Sequence, residues 1–371
     1  MGKKRRFILF YCLFTLVAAI ALLMAARRSA LFAEWYASRF FSLFPHTLGR
    51  LFSPLPFSLF ELLIVATGAG LLVFLTYTLL TLARGRAARM ILRRRWLALG
   101  PRLGILCCTL LLMFTLTCGI NYSRAPLAHA LGLDPRPSTA QELRLLFTQL
   151  CQEAAEAAEK IDTDEQGGFL LSSEPREAGR AAMERLGGSY ELFNTYYPKP
   201  KPVFCSIGLS YLHLAGIYSP FTIEANYNRH MPPCDIPFSI CHELAHLSGY
   251  AKEDEANFIA FLACKESGYS DLYYSGLLNA ISYVLNALYG EMEPAKYREL
   301  FQELPAQARR DLQLASAYWQ SFAGPAAELS RNVNDIYLKA NDQPEGVKSY
   351  GRLVDLLLAY YDRSQKLEDR R

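Results

Sequence analysis

The chain has 371 residues and a formal net charge of +4, a length that allows more than one domain. That charge is divided unevenly: residues 1–120 hold 15 Lys and Arg against only Glu34 and Glu61, a net of +13, and the remainder carries −9. The acidic remainder lacks the basic face needed to displace counterions from phosphates, which excludes nucleic acid as a partner.

Three apolar stretches, about 7–26, 57–83 and 99–120, approach the roughly 20 residues that a helix needs to cross a hydrocarbon core. The first, FILFYCLFTLVAAIALLMAA, follows MGKKRR and runs into Arg27-Arg28. It is longer than the core of an ordinary signal peptide and has no clear cleavage signature, so it reads as a retained anchor. Cytoplasmic flanks are enriched in Lys and Arg. KKRR precedes the first stretch, and RGRAARMILRRR, with six arginines, separates the second from the third. The intervening 27–56 holds four arginines, Glu34 and the aromatics Trp35, Tyr36, Phe40 and Phe41, which suit an interface. The expectation is a multi-pass protein of the cell (inner) membrane, with the lipid bilayer as a partner. Residues 1–120 form its membrane domain, the N-terminus is cytoplasmic, and residues 121–371 form an extracytoplasmic domain.

Cys12, Cys107, Cys108 and Cys118 lie within the spans, where they pack as small apolar groups. Cys151, Cys205, Cys234, Cys241 and Cys264 are an odd set without C-x-x-C spacing, so neither a complete disulfide framework nor a Cys-ligated structural zinc is indicated.

From Ser138-Thr139, either of which can cap, a helix is expected with Leu143, Leu146, Phe147, Leu150 and Cys151 on one face. DTDEQGGFLLSSEPRE reads as a loop, and REAGRAAMERLGG as a shorter helix that stops at Gly187-Gly188. Between 196 and 240, prolines, β-branched residues and aromatics predict strands in KPVFCSIG and GIYSPFTIEANYN. The second is read as one strand of about ten residues, and Pro220 inside it argues for a sheet edge. Beyond 238 the pattern is again mostly helical, including SGLLNAISYVLNALYG and SYGRLVDLLLAYYDRS. The soluble part is therefore mainly α-helical with a small sheet, an α+β arrangement.

The most chemically specific stretch is CHELAH, Cys241 to His246. On a helix, residues four apart project on the same side, so His242 and His246 can reach one metal ion. Imidazoles suit Zn2+, and Glu243 between them is placed to activate a water. By chance, H-E-x-x-H arises on the order of once in a hundred chains with six histidines, so context must decide. Asp235 and Pro237 supply start signals for a helix carrying the motif, and Ile240, Cys241, Leu244, Ala245 and Leu247 imply that it is buried on most sides. Gly249 breaks that helix, and KEDEANFIAFLAC begins another with an acidic first turn. Glu253 and Glu255 both offer the third metal ligand. Glu253 is favoured because Asn257, four residues on, would stand on the same face and support a ligand.

HELAHLSGYAKEDEANFIAFLAC resembles the signature of the DUF3810 family of bacterial membrane proteins and, more distantly, that of zincin-type metallopeptidases. The DUF3810 resemblance extends through YSPFTIEANYN and NDIYLKANDQPEGVKSYGRLVDLLL, most of residues 120–360. Zincins with a glutamate ligand place an Asp or Asn four residues after it, as in Glu253-Asp254-Glu255-Ala256-Asn257. The resemblance thus implies a zincin-like fold with His242, His246 and Glu253 as ligands. Two departures stand out: the seven-residue gap from His246 to Glu253 is short for that class, and Lys252 stands where a related motif has a third histidine. A zincin plan also uses an edge strand above the site to align an extended peptide, a role open to GIYSPFTIEANYN. Tyr337, Tyr350, His230 and Arg352 are the candidates to stabilise an oxyanion.

Two functions follow as expectations. One is a membrane-anchored, zinc-dependent peptidase acting on peptide or protein substrates outside the cytoplasm, with Glu243 as general base. The other is a non-catalytic envelope protein that keeps the zinc for structure or binding. Intramembrane proteolysis is disfavoured, because the motif lies in polar sequence more than 100 residues past the last span.

Overall fold

A computed structural model describes residues 3–82, 86–289, 292–341, 343 and 352–368. The membrane part comprises α1 (Lys3–Arg28), α2 (Ala30–Tyr36), α3 (Arg50–Phe52), α4 (Leu59–Leu82) and α5 (Arg86–Thr117). Lys3–Arg28, Leu59–Leu82 and Leu92–Thr117 are long and apolar enough to cross a membrane. Their leucines, valines and phenylalanines are largely exposed, as expected of a surface solvated by lipid rather than water. The arginines from Arg86 to Arg95 prove to be the first turns of α5 rather than a loop; Arg84 lies outside the described residues.

Past the spans come α6 (Leu127–Leu131), α7 (Ala140–Ala158), β1 (Asp162–Thr163), β2 (Phe169–Leu170), α8 (Pro175–Ser189), β3 (Lys201–Pro202), α9 (Ser206–Tyr211), β4 (Gly216–Ser219) and β5 (Glu224–Tyr227). The helices α10 (Ile236–Leu247), α11 (Glu253–Glu266), α12 (Ser270–Tyr289), α13 (Pro294–Gln302), α14 (Ala306–Ser321), α15 (Pro325–Ala340) and α16 (Leu353–Glu368) follow. The protein is thus mostly helical with little sheet. Thr139 caps α7 in a full capping box with Glu142, and the expected apolar face, Leu143 to Cys151, is buried.

Four local expectations need correction. DTDEQGGFLLSSEPRE holds a short hairpin rather than only loop, with β1 and β2 paired antiparallel, Asp162 opposite Leu170. GIYSPFTIEANYN is a hairpin, not one strand: β4 and β5 pair antiparallel with Ser219 opposite Glu224. Pro220 opens the turn, where its missing N–H costs the ladder nothing, and Ile223 completes it with φ of 54°. The sheet order β3-β5-β4 leaves β4 at an edge. In KPVFCSIG only Lys201 and Pro202 are strand, and the chain turns into α9. Finally, α8 continues through Gly187-Gly188 to Ser189. A Cβ on Gly187 would stand 2.9 Å from the Phe193 carbonyl oxygen, so glycine there permits close packing rather than ending the helix.

Buried charges fasten the globular part to the near ends of the spans. The Glu224 carboxylate accepts from the Leu59 and Phe60 backbone N–H groups at 3.1 and 2.9 Å, pairing orphan donors at the start of α4. Lys201 Nζ donates to the carbonyls of Phe52, Ser53 and Leu55. Arg124, just past α5, clamps the Glu34 carboxylate with two nitrogens and donates to the carbonyls of Ser248 and Gly249. One guanidinium therefore ties α2, the exit of α5 and the end of the CHELAH helix together.

Candidate metal centre at the cleft between α10, α11 and β4

CHELAH lies on α10, of which every residue except His242 is buried. Pro237 stands in the first turn as expected, but the Asp235 side chain makes no cap; it accepts from Trp319 Nε1 at 3.0 Å instead. Gly249, at φ of 85°, takes the left-handed conformation that closes α10 and lets the chain reverse into α11. The reversal lays Glu253, the first residue of α11, against the two histidines. His242, His246 and Glu253 each offer a ligand atom, all within 4.8 Å of one another, and His242 Nε2 stands 3.2 Å from Glu253 Oε2.

Both imidazoles are oriented from behind. His246 Nδ1 donates to the Tyr250 carbonyl oxygen at 2.8 Å, and because a carbonyl only accepts, the proton sits on Nδ1 and the Nε2 lone pair is left for the cluster. His242 Nδ1 is 2.8 Å from Asn257 Oδ1, the partner expected from the spacing. Glu255 points elsewhere: its Oε1 accepts from the Leu127 N–H at 2.8 Å and lies 3.8 Å from Lys252 Nζ. Of the two carboxylates left open by the sequence, Glu253 faces the histidines and Glu255 anchors α6.

The electrostatics are those of a crowded, largely buried site. Burial depresses the His242 imidazole, but the hydrogen bond and charge of Glu253 outweigh it and lift the pKa to about 9. Burial lowers His246 to about 4 and raises Glu243 to about 8. A divalent cation at the cluster would reverse this pattern, holding both imidazoles neutral and the carboxylates ionised. Two imidazole nitrogens and a carboxylate oxygen are the ligand types zinc takes at catalytic sites. Tetrahedral ligands about 2 Å from zinc stand roughly 3.3 Å apart, close to the His242–Glu253 separation.

Glu243, one residue on from His242 and so about 100° around α10, lies against β4 and lines the same cleft as the two histidines and Glu253. A Cβ on Gly216 would lie 2.5 Å from Glu243 Oε1, so only glycine lets the strand approach this carboxylate. The nearby Tyr218 backbone N–H favours its ionised form, and the Tyr218 ring lies 5.8 Å from that of His246. The whole group opens into a cleft of about 1150 Å³ bounded by β4, the end of α5, α12 and α15.

Of the oxyanion candidates, Tyr337 lines this cleft, with its hydroxyl 3.2 Å from that of Tyr122 and 3.7 Å from Cys118 Sγ. His230 lies against the Tyr318 hydroxyl, and Arg352 pairs with Asp254 at 3.2 Å; neither lines the cleft. Tyr350 lies outside the described residues. Sequence reading missed Gly216, Tyr122, Asn279 and Tyr283, all on the cleft wall. Asn279 and Tyr283 carried a usable signal, two polar-tipped residues four apart in an apolar helical run; Gly216 and Tyr122 carried none. All nine cysteines are free.

Fold and site together define a membrane protein with three apolar helices and a half-buried His-His-Glu cluster at an open cleft. The chain belongs to the DUF3810 family of proteins of unknown function, whose model matches residues 36–358 and so takes in the second and third apolar helices and most of the globular part. No curated protein and no solved structure matches the chain.

Proposed function

We propose that the protein is a membrane-anchored zinc peptidase with a zincin-like site, hydrolysing peptide bonds outside the cytoplasm. The observation that carries this reading is the division of labour on α10: His242 and His246 stand with Glu253, Glu243 lies against the edge strand β4, and all four line one open cleft. A structural zinc site is closed by four protein ligands, and among the described residues three come together here, on the wall of a cleft.

His242, His246 and Glu253 would hold zinc, which supplies Lewis acidity toward the scissile carbonyl and the attacking water. The chain's own residues do the rest. The free edge of β4 aligns an extended peptide by main-chain hydrogen bonds. Glu243 takes a proton from water as the new C–O bond forms, then hands it to the leaving nitrogen as the C–N bond breaks. The Tyr337 hydroxyl is the donor placed to steady charge on the carbonyl oxygen.

The test is Glu243→Gln in the full-length protein, which keeps the side chain's shape and removes the base. Zinc content should stay at one per chain while cleavage of a mixed peptide library falls by about 10²–10⁴-fold. A wild type that binds zinc yet cuts no peptide would favour the non-catalytic envelope protein. The topology half of the proposal rests on the arginine distribution; a reporter fused after Arg371 that works only in the cytoplasm should stay silent, and strong activity would refute it.

A further inference from the structure

The cleft is built onto the end of a membrane span. Its wall includes Thr117, the last residue of α5, together with Cys118, Asn121 and Tyr122. The Tyr218 hydroxyl donates to the Thr117 carbonyl at 3.1 Å, while the ring of Tyr218 lies against His246, so a single side chain separates the span from the metal cluster. The opposite wall descends to the same level. Leu329 and Val333 of α15 line the cleft, and Tyr337 of that helix packs on Phe114 of α5, ring centroids 6.2 Å apart. Arg27, at the end of α1, donates to the Ala340 carbonyl at 2.8 Å and fixes the end of α15 beside the spans.

The depth follows from exposure. On α5 the apolar surface stays open as far as Leu111, whereas Thr115 and Thr117 are fully buried in protein. Six residues of helix separate Leu111 from Thr117, a rise of about 9 Å. The headgroup region of one leaflet is roughly 5–8 Å thick, so with Leu111 taken as the edge of the hydrocarbon the cleft wall at Thr117 would stand at about the outer limit of the headgroups. A chain leaving the hydrocarbon in extended form covers that distance in about three residues.

Resting on the peptidase reading above, we infer that the site acts on peptides tethered to the same membrane by an apolar anchor, cutting close to the anchor. Such a substrate reaches β4 and Glu243 along an apolar wall that starts at the span itself. The shared chemistry is an apolar anchor followed by an extended peptide, whether the anchor is a hydrophobic helix or an acyl chain.

The test uses the full-length protein in zinc-containing proteoliposomes and a mixed-sequence library of twenty-residue peptides in three forms: free, palmitoylated at one end, and extended at that end by a hydrophobic transmembrane helix. Tethering raises the effective concentration for any vesicle-bound enzyme, so the deciding readout is where the cuts fall, read by mass spectrometry. Cuts clustered within about eight residues of the anchor, at a rate at least 10-fold above the free library, support the inference. Clustering in only one tethered form supports it and identifies the anchor. Cuts spread evenly along tethered peptides, or a free library cut as fast at equal bulk concentration, overturn it and leave the peptidase reading standing. If no form is cut above the Glu243→Gln control, the peptidase reading fails and the inference falls with it.

Discussion

The two sides of the cleft are built to different standards. Its floor, α10 and α11, is nearly all core: only His242 is not buried on α10, and α11 is buried from Asp254 to Cys264. The roof helix α15 buries only Ala327 and Leu338 and leaves Leu329, Val333 and Ile336 exposed. The difference teaches where precision is required. On the peptidase reading proposed above, ligands would have to be held within fractions of an ångström, as a close-packed floor allows, and a wall open to chains of variable sequence would keep its side chains unpacked.

The sharpest way to break this comparison is to remove volume from the floor. Phe261→Ala on α11, at a fully buried position, should cost about 3–5 kcal/mol in a denaturant titration; a loss below 1 kcal/mol would mean that the floor is not the rigid side. Next in size is Gly216→Val, whose Cβ would displace the Glu243 carboxylate. Cleavage should slow by about 10²-fold or more, as a misplacement near 1 Å does, with zinc still bound. Loss of zinc instead would show that β4 supports the ligands rather than the base. Asn257→Ala removes the acceptor behind His242 and should weaken zinc by about 10–100-fold in a competition titration with a chelator. The smallest effect belongs to the roof: Leu329→Ala should change stability by no more than about 0.5 kcal/mol. Amides of α15 should also exchange with solvent before those of α10, and equal protection would erase the distinction.

The floor was legible in the sequence because its chemistry is local. The i, i+4 rule puts His242 and His246 together, a glycine marks the reversal, and a second i, i+4 pair, Glu253 and Asn257, separates Glu253 from Glu255 before any coordinates are seen. The spans were legible for the same reason, since twenty apolar residues are a local property. The hairpin was misread because Pro220 was taken as a feature of an edge strand when it opens a turn. The walls were largely illegible. Tyr122 and Tyr337 are 215 residues apart, Gly216 meets Glu243 across the fold, and the buried ties of Glu224 and Arg124 to the membrane part join segments whose pairing no periodicity encodes. A buried charge announces that a partner exists, not which one.

On the proposed function, His242, His246 and Glu253 would hold one zinc between α10 and α11, beside Glu243 and the cleft. Anomalous diffraction at the zinc edge from crystals of the full-length protein tests it most directly. One peak per chain is expected, bound by Nε2 of His242, Nε2 of His246 and the Glu253 carboxylate at about 2.0–2.2 Å, with Glu243 outside bonding distance. A peak ligated by Glu255 or Glu243, or no peak between these helices from zinc-saturated crystals, would contradict it.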